Sequence, residues 1–145
     1  MNNNFFLNFE NGMPKGTAQE KGERIAYKIN NGRRVPYIQH YKKKTIGAVR
    51  QEYELKLKRF RPKKPAEGPI KLTAIFYFDV KNRKLWGQPK TTRADCSNIV
   101  KELEDAMTAV GFWRDDSQIV ELRVAKWYAE KATIYIKVEE LNNDK

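Results

Sequence analysis

Two residue types that build many catalytic sites are almost missing from this sequence. Of its 145 residues, one is cysteine and one is histidine, which excludes an internal disulfide, a CxxC pair and a histidine-rich zinc site. No glycine-rich phosphate loop follows a strand-like segment. We interpret His40 as a surface residue and Cys96 as a small, partly buried one. Carboxylates therefore remain as the groups best able to carry chemistry.

Long apolar runs are also missing. No segment approaches the ~18 apolar residues of a membrane helix, and the residues after Met1 contain no basic stretch followed by an apolar one, which predicts no secretory signal. Apolar residues still make up 40% of the chain and aromatic residues 12%, so we expect a folded protein. The length of 145 residues predicts a single domain spanning 1–145. The single cysteine favours a reducing, cytoplasmic setting.

The positive charge of the chain is concentrated in one region. The net charge is +11, and residues 11–64 carry 16 Lys or Arg against 4 Asp or Glu, whereas residues 65–145 carry 13 of each sign. A basic region beside a carboxylate-bearing one is typical of a protein that holds a polyanion and cuts it with a metal. On charge alone, an RNA-associated or ribosomal module is the alternative.

Hydrophobic periodicity predicts six strands and two helices. Apolar residues at every second position predict strands near 5–9, 70–80, 119–127 and 133–139, and spacings of three and four predict helices at 45–59 and 97–110. Asn31-Gly32 separates two further strand-like segments and predicts a hairpin tip. We expect the last two strands to form an antiparallel pair. This order predicts an α+β fold with a mixed or antiparallel sheet and two main helices.

Two basic segments are candidates for contact with nucleic acid. The predicted hairpin lies in a basic stretch at about 12–41 and carries Arg33 and Arg34 beside its tip. The connection at 81–93 carries Lys90 and Arg93. Each segment could bind phosphates or could be an ordinary solvated loop.

Carboxylates lie just before and just after the second predicted helix. Asp95 precedes the helix, and Asp115 and Asp116 follow it at the start of the next strand. Loop carboxylates placed in this way can converge on one Mg²⁺, which prefers hard oxygen ligands and keeps several waters. The alternatives are that Asp95 is an ordinary helix cap and that the Asp-Asp pair is an ordinary turn.

The second predicted helix also has a polar face. Asn98, Lys101 and Asp105 lie on it at positions i, i+3 and i+7. This face could line the same cleft, where Lys101 would contact a phosphate or stabilise developing negative charge. A surface ion pair between Lys101 and Asp105 is the alternative, and such pairs contribute little to stability.

Three spaced motifs lie in register between Lys90 and Lys126. The first covers residues 93–107 and contains Asp-Cys-Ser-Asn followed by a lysine, the second is Gly-Phe-Trp-Arg-Asp-Asp at 111–116, and the third is Arg-Val-Ala-Lys at 123–126. Together they resemble the signature of the RusA family of Holliday-junction resolvases, which is a basic residue or proline, Asp-x-Asp-Asn, an apolar residue, Lys, Gly-Phe-Trp, and Asp-Asp before a strand. The resemblance is looser over the Pro-Lys-Gly opening at 14–16, the charged middle helix and the C-terminal strands.

The resemblance implies a bacterial or phage homodimer with a RusA-like fold that binds four-way DNA junctions and nicks two opposed strands using Mg²⁺. The implied catalytic residues are Asp95, Asp116 and Lys101. Asp95 and Asp116 would bind the metal, with Ser97 and Asp115 as further ligands. The DNA contacts expected beside them are Arg33, Arg34, Lys90, Arg93 and the motif asparagine Asn98.

One position departs from the family motif, because Ser97 stands where the pattern has its second aspartate. A serine hydroxyl offers a neutral oxygen but not the negative charge that a hard cation prefers. Asp115, Asp105 or Asp79 could compensate for the lost carboxylate. The chain could equally be a weakened or inactive member that still binds junctions.

Overall fold

Six strands and two α-helices make up residues 1–14, 21–42 and 44–141, the part of the chain that this computed structural model describes. The elements, in chain order, are β1 (Asn2–Phe9), β2 (Lys21–Asn30), β3 (Arg33–Lys42), α1 (Lys44–Leu57), β4 (Ile70–Asp79), α2 (Cys96–Val110), β5 (Ile119–Ala129) and β6 (Ala132–Glu140). The predicted α+β class and element order are confirmed. Within these ranges no helix is long and apolar enough to cross a bilayer.

The main sheet has four strands in the order β1-β6-β4-β5. β6 pairs antiparallel with both β1 and β4, and β5 pairs parallel with β4. The predicted pairing of the last two strands is therefore wrong, because β4 lies between them. β4 has more buried residues than any other strand of this sheet and takes an inner position, with a neighbour on each side. Periodicity identified β5 and β6 as strands but contains no information about their partners.

The core lies between the sheet and the two helices, which also pack against each other. In α1 the predicted stripe is confirmed where its side chains are described, since Val49, Tyr53 and Leu57 are buried. Phe60, just after α1, stacks on Phe5 of β1 with ring centroids 4.5 Å apart. The apolar stripe of α2 is also confirmed and comprises the buried residues Ile99, Val100, Leu103, Ala106 and Met107.

β2 and β3 form a separate two-stranded ribbon outside the main sheet. Its tip is at Asn31 and Gly32, as predicted, and both residues have positive φ, 52° and 74°. Such a pair is typical of the tight turn that matches the twist of an antiparallel hairpin. The predicted basic arm of residues 12–41 includes 15–20, which lie outside the described residues.

The end of α2 directs the chain towards the second group of carboxylates. Gly111 has a φ of 103° and donates its N–H to the carbonyl of Thr108, while Phe112 donates to that of Met107. This pair of bonds satisfies the last helical carbonyls and reverses the chain. Phe112 and Trp113 then enter the core, so the following Asp-Asp pair emerges at a fixed place beside the helix.

The packing of α2 can be tested by truncating its central core residue. Leu103 is fully buried, and we expect Leu103→Ala to lower the free energy of unfolding by about 2–5 kcal/mol because it leaves a cavity. Leu55→Ala on the exposed side of α1 is the control and should change it by less than about 0.5 kcal/mol. Urea unfolding measures both. Equal stabilities would mean that the buried face of α2 is assigned incorrectly.

Candidate active site

Asp95 occupies the N-cap position of α2, but its side chain makes no capping hydrogen bond. Its backbone carbonyl accepts the first bonds of the helix, from Asn98 and Ile99. The side chain itself is exposed. Asp95 is therefore the N-cap by position but does not cap the helix through its side chain, which leaves its carboxylate available for a cation or a substrate.

Two lysine side chains hold the loop that presents Asp95. Lys126 of β5 donates from Nζ to the carbonyls of Thr92 and Ala94, at 2.8 Å each. Lys90 donates from Nζ to Thr92 Oγ1 at 2.7 Å and to the carbonyl of Arg93. The ammonium groups thus fix three successive residues immediately before Asp95. Bonds to charged donors are stronger than neutral ones, so this arrangement positions the carboxylate firmly.

The environment of Lys90 supports this role in holding the loop. Its ammonium lies 4.9 Å from the ring centroid of Phe78 and 5.9 Å from that of Tyr128. Desolvation lowers the pKa of Lys90, opposed by the Tyr128 phenol and assisted by the neighbouring charge of Lys126. Contact of Lys90 with a DNA phosphate stays a prediction. Sequence reasoning gave Lys126 no role, although it is the last residue of the third motif.

Asp115 and Asp116 have different environments. Asp115 begins a short 3-10 turn, where its Oδ1 accepts the N–H of Ser117 at 2.9 Å and its own N–H donates to Gln118 Oε1 at 3.0 Å. Gln118 Nε2 donates in turn to the carbonyls of Ala66 and Gly68, which anchors the turn. Asp115 therefore caps this turn, and its role as a metal ligand stays a prediction.

The two adjacent carboxyl groups also share a hydrogen bond, with opposite effects on their acidity. The N–H of Ser117 and the bond to Asp116 lower the pKa of Asp115. The bond to Asp115, burial, and the charges of Asp115 and Asp105 raise the pKa of Asp116. Repulsion between carboxylates favours a proton on one of them, and a bound cation would relieve the same repulsion. The neighbouring carboxylates thus make the surroundings of Asp116 favourable for a cation.

The middle of α2 lies beside Asp116. Burial raises the pKa of Glu104, as do the charges of Asp116 and Asp105, while Lys101 lowers it. The structure therefore places Lys101 and Asp105 of the predicted polar face on the side of α2 that carries Asp116. Glu104 was missed, although its spacing of three from Lys101 could have indicated that it shares this face.

Asp79 is far from this group. It lies opposite Ala129 at one end of the parallel β4–β5 pair, whereas Asp116 precedes the other end, where Ile70 is opposite Ile119. Nine strand residues separate these ends, or roughly 30 Å. Asp79 Oδ1 instead accepts the N–H of Met13 at 3.2 Å. It therefore cannot replace a missing ligand of an ion held by Asp116.

The side chains of the candidate site offer the type of ligand atom that magnesium prefers. Among the described residues, no group of three or more Asp, Glu, His or Cys side chains is arranged to hold a metal. Mg²⁺, however, is commonly bound by one or two carboxylates and keeps several waters. The side chains of Asp95, Ser97 and Asp116 are exposed and offer only oxygen. Each of these residues therefore offers a ligand atom of the kind that a largely hydrated Mg²⁺ accepts.

The expected DNA contacts lie in three places. Arg33 and Arg34 flank the tip of the β2–β3 ribbon, and the guanidinium of Arg34 stacks 4.0 Å from the ring centroid of Tyr27. Arg93 is exposed in the loop before Asp95, and Asn98 is half-buried in the first turn of α2. Arg93 and Asn98 therefore flank Asp95 in the chain, while the arginines of the ribbon belong to a separate sheet.

The role of Lys126 can be tested by removing its charge. We expect Lys126→Met to accelerate hydrogen exchange at the backbone amides of residues 92–95, because three carbonyls of this loop depend on lysine donors. Lys131→Met, at an exposed position in the β5–β6 turn, is the matched control and should leave these amides unchanged. Equal exchange in the two variants would contradict the role in holding the loop.

Comparison with known proteins assigns the family. Residues 11–139 match the family model described as Endodeoxyribonuclease RusA. The chain is 41% identical over 93 residues to the crossover junction endodeoxyribonuclease rusA of Lactococcus phage r1t, which covers 61% of this chain and 71% of that protein. It is 37% identical over 57 residues to crossover junction endodeoxyribonuclease RusA of Escherichia coli K12, covering 39% of this chain and 48% of that protein. The chain therefore belongs to the RusA endodeoxyribonuclease family.

Proposed function

We propose that this protein is a metal-dependent endonuclease that resolves four-way DNA junctions by paired nicks in opposed strands. The family match and the names of its relatives support cleavage of DNA at crossover junctions. The observation that carries the proposal is the environment of Asp95. Its carboxylate is exposed and makes no capping hydrogen bond. The loop before it is held by hydrogen bonds from two lysine side chains. A carboxylate that does not cap its helix, and whose loop is held in place by surrounding side chains, is typical of a functional group.

We propose Mg²⁺ as the cofactor, held by Asp95 and Asp116. Ser97 and Asp115 would add oxygen atoms directly or through water, without a second full charge at position 97. When bound, the ion would lower the pKa of a water molecule and neutralise charge on the scissile phosphate. Protons compete with a cation for these carboxylates, so binding should weaken at low pH.

Lys101 is the proposed electrostatic partner of the phosphate. It lies exposed on the face of α2 that carries Asp116, where its ammonium also affects Glu104. A fixed positive charge aimed at the oxygen that becomes negative stabilises the transition state more than the ground state. Asn98, one turn earlier, would orient the sugar-phosphate backbone, and Arg93 would contact the adjacent phosphate.

The β2–β3 ribbon is the proposed DNA-binding arm. Its opposed residues share one face, so Arg24, Lys28 and Arg33 lie together on one side. The excess positive charge of residues 11–64 would then supply affinity that does not depend on base sequence. We also propose that the protein acts as a symmetric homodimer, since two identical sites suit two opposed strands. The bacterial or phage setting and the cytoplasmic location stay predictions.

Ser97 favours a second candidate, a junction-binding protein of the same fold that no longer cuts. The serine is exposed in the first turn of α2, beside Asp95. No carboxylate of the described residues completes a group of three there. The family match favours either of these DNA-directed functions over the RNA-associated module that charge alone left open.

Cleavage of a labelled mobile four-way junction tests the proposal. We expect paired nicks with Mg²⁺ and none with EDTA, and a fall of at least about 100-fold in rate for Asp95→Asn and for Asp116→Asn, because each removes a charged ligand. Glu130→Gln, which removes an exposed carboxylate in the β5–β6 turn, should cleave normally. Linear duplex should be cut far more slowly.

Ser97→Asp distinguishes the two candidates. If the native chain binds junctions without nicking and Ser97→Asp restores nicking, the protein is a disabled resolvase with the site in the proposed place. Binding without nicking in both chains would contradict the catalytic proposal and leave a junction-binding protein. Nicking by the native chain that survives Asp116→Asn would place the active site elsewhere.

Salt dependence tests the arm separately. We expect the junction Kd to rise at least about 100-fold between 50 and 300 mM salt, because phosphate contacts release counterions. In Arg33→Ala/Arg34→Ala, the slope of log Kd against log salt should fall by about 2, one for each lost contact. Lys131→Ala should leave the slope unchanged. A flat dependence in the native protein would contradict the electrostatic role of the basic region.

A further inference from the structure

Residues 58–64, between α1 and β4, form a second basic segment that does not belong to the β2–β3 ribbon. Five of its seven residues are Lys or Arg, none is Asp or Glu, and all five basic side chains are exposed. None of the five takes part in the ion pairs of the described residues. The first acidic residue after the segment, Glu67, is already paired with Arg114 at 2.6 Å. The positive charge of this segment is therefore not balanced locally.

The backbone of this segment is fixed, although runs of like charge are usually loosely ordered. The ring of Phe60 stacks on Phe5 of β1, and the carbonyl of Phe60 accepts a hydrogen bond from Asn3 Nδ2 at 3.0 Å. Pro62 and Pro65 restrict the backbone on both sides of the two lysines between them. Like charges held close together repel one another. A fixed basic segment of this kind therefore favours a role in binding a polyanion.

Three of the basic side chains border one open concavity of about 490 Å³. Lys58, Arg61 and Lys63 line it, and the rest of its wall is formed by two prolines and by residues 110–111 at the end of α2. The wall contains no carboxylate, so nothing in it competes with an external anion for the three cations. The negative end of the α2 dipole lies on the same side, which makes stabilisation of that helix end the alternative role of these charges.

The basic segment is attached to the turn that carries Asp116. Just after the segment, Ala66 donates its N–H to the carbonyl of Phe112 at 3.0 Å and forms a parallel bridge with Trp113. Lys64 precedes Ala66 by two positions, and Asp116 follows Trp113 by three. The Cα atoms of Lys64 and Asp116 are therefore at most roughly 23 Å apart, which is the rise of about seven base pairs of duplex DNA.

We propose that Lys58, Arg61 and Lys63 bind phosphates of a DNA arm beside the proposed cleavage site. Exposed Lys and Arg side chains bind phosphate oxygens without reading the base sequence, so this surface would set the path of the arm and not its sequence. The charges follow an extended segment that leads to the Asp116 turn, which suits a continuous row of phosphates better than a single small anion. The inference rests on the proposed function in naming DNA as the source of the phosphates.

Neutralising two of these charges tests the surface. In EDTA, where cleavage does not interfere, Arg61→Gln/Lys63→Gln should raise the Kd for a four-way junction at least about tenfold at about 100 mM salt. The slope of log Kd against log salt should fall by about 2. Lys131→Gln/Lys137→Gln removes the same net charge from the β5–β6 turn and β6 and should leave both quantities unchanged. Native binding that is unaffected by Arg61→Gln/Lys63→Gln would overturn the proposal.

Removing charge from the DNA shows where the contact lies. Methylphosphonate linkages, placed one at a time along the strands of the junction, each delete one phosphate charge. The native chain should lose affinity at a few positions within about one helical turn, or roughly ten base pairs, of the crossover. The same linkages should have little further effect on Arg61→Gln/Lys63→Gln, because the contacts are already lost. Equal losses in the two chains at every sensitive position would contradict contact with this surface.

Two further measurements separate this surface from its alternatives. Arg61→Gln/Lys63→Gln should unfold at the same urea concentration as the native chain; a lower midpoint together with normal DNA binding would mean that the charges stabilise the end of α2. Inorganic tripolyphosphate should compete weakly with the junction. Tight tripolyphosphate binding that the double variant loses while its DNA affinity stays normal would mean a small-anion site instead. A native chain that binds no DNA at all would contradict the proposed function as well, whereas binding without cleavage would leave this surface standing.

Discussion

The packing of α2 against the sheet is the constraint on which the rest of the site depends. Its apolar stripe is buried, so the rotation of the helix about its axis is fixed, and with it the direction of every polar side chain on the other face. The same helix determines where the chain enters and leaves. Asp95 stands at its start, Lys101 at its middle, and Gly111 turns the chain so that Asp116 returns beside it. One packing interaction thus positions all three proposed catalytic residues.

The loop before α2 needs additional support, because a helix start alone leaves the preceding residues free to move. Lys90 and Lys126 provide it by binding carbonyls of residues 92–94. Lysines near a candidate nuclease site are readily interpreted as phosphate contacts, but the contacts that Lys90 and Lys126 make in the structure are internal. Two groups of basic side chains therefore differ in what they contact. Lys90 and Lys126 hold the loop before Asp95, whereas the described basic side chains of the β2–β3 ribbon face the solvent.

The sequence predicted those parts of the molecule that depend on local rules. The period of α2, the alternation in β4 and the turn residues at Asn31-Gly32 each have a local physical cause, and all three are confirmed. Tertiary relations were not accessible in the same way. Periodicity cannot say that β4 separates β5 from β6, because a strand has the same pattern whichever neighbour it has. Likewise, the contact of Asp79 with the N–H of Met13 joins residues 66 positions apart, and no local pattern indicates it.

The candidate site shows the same division. Its aspartates were identified from motif spacing, but whether Asp95 caps its helix depends on a side-chain rotation that spacing does not determine. The sequence also did not predict which residues of α2 lie beside Asp116, since a turn of five residues can bring the chain back to several positions along the helix. The structure brings Asp116 to Glu104 and Asp105, and the raised pKa of Asp116 follows from the shared hydrogen bond, burial and these neighbouring charges. Negative charge collected in this way favours a cation.

The central claim is that Asp95 and Asp116 bind one and the same ion. Calorimetric titration of Mn²⁺, which suits the same oxygen ligands as Mg²⁺, into the native protein, Asp95→Asn, Asp116→Asn and the double variant tests it most directly. If both carboxylates hold one ion, each single substitution should weaken the same binding event and the double variant should be little worse than either single one. Two separate Mn²⁺ binding events, each lost in only one of the single variants, or a substitution that leaves Mn²⁺ binding unchanged, would contradict a shared site.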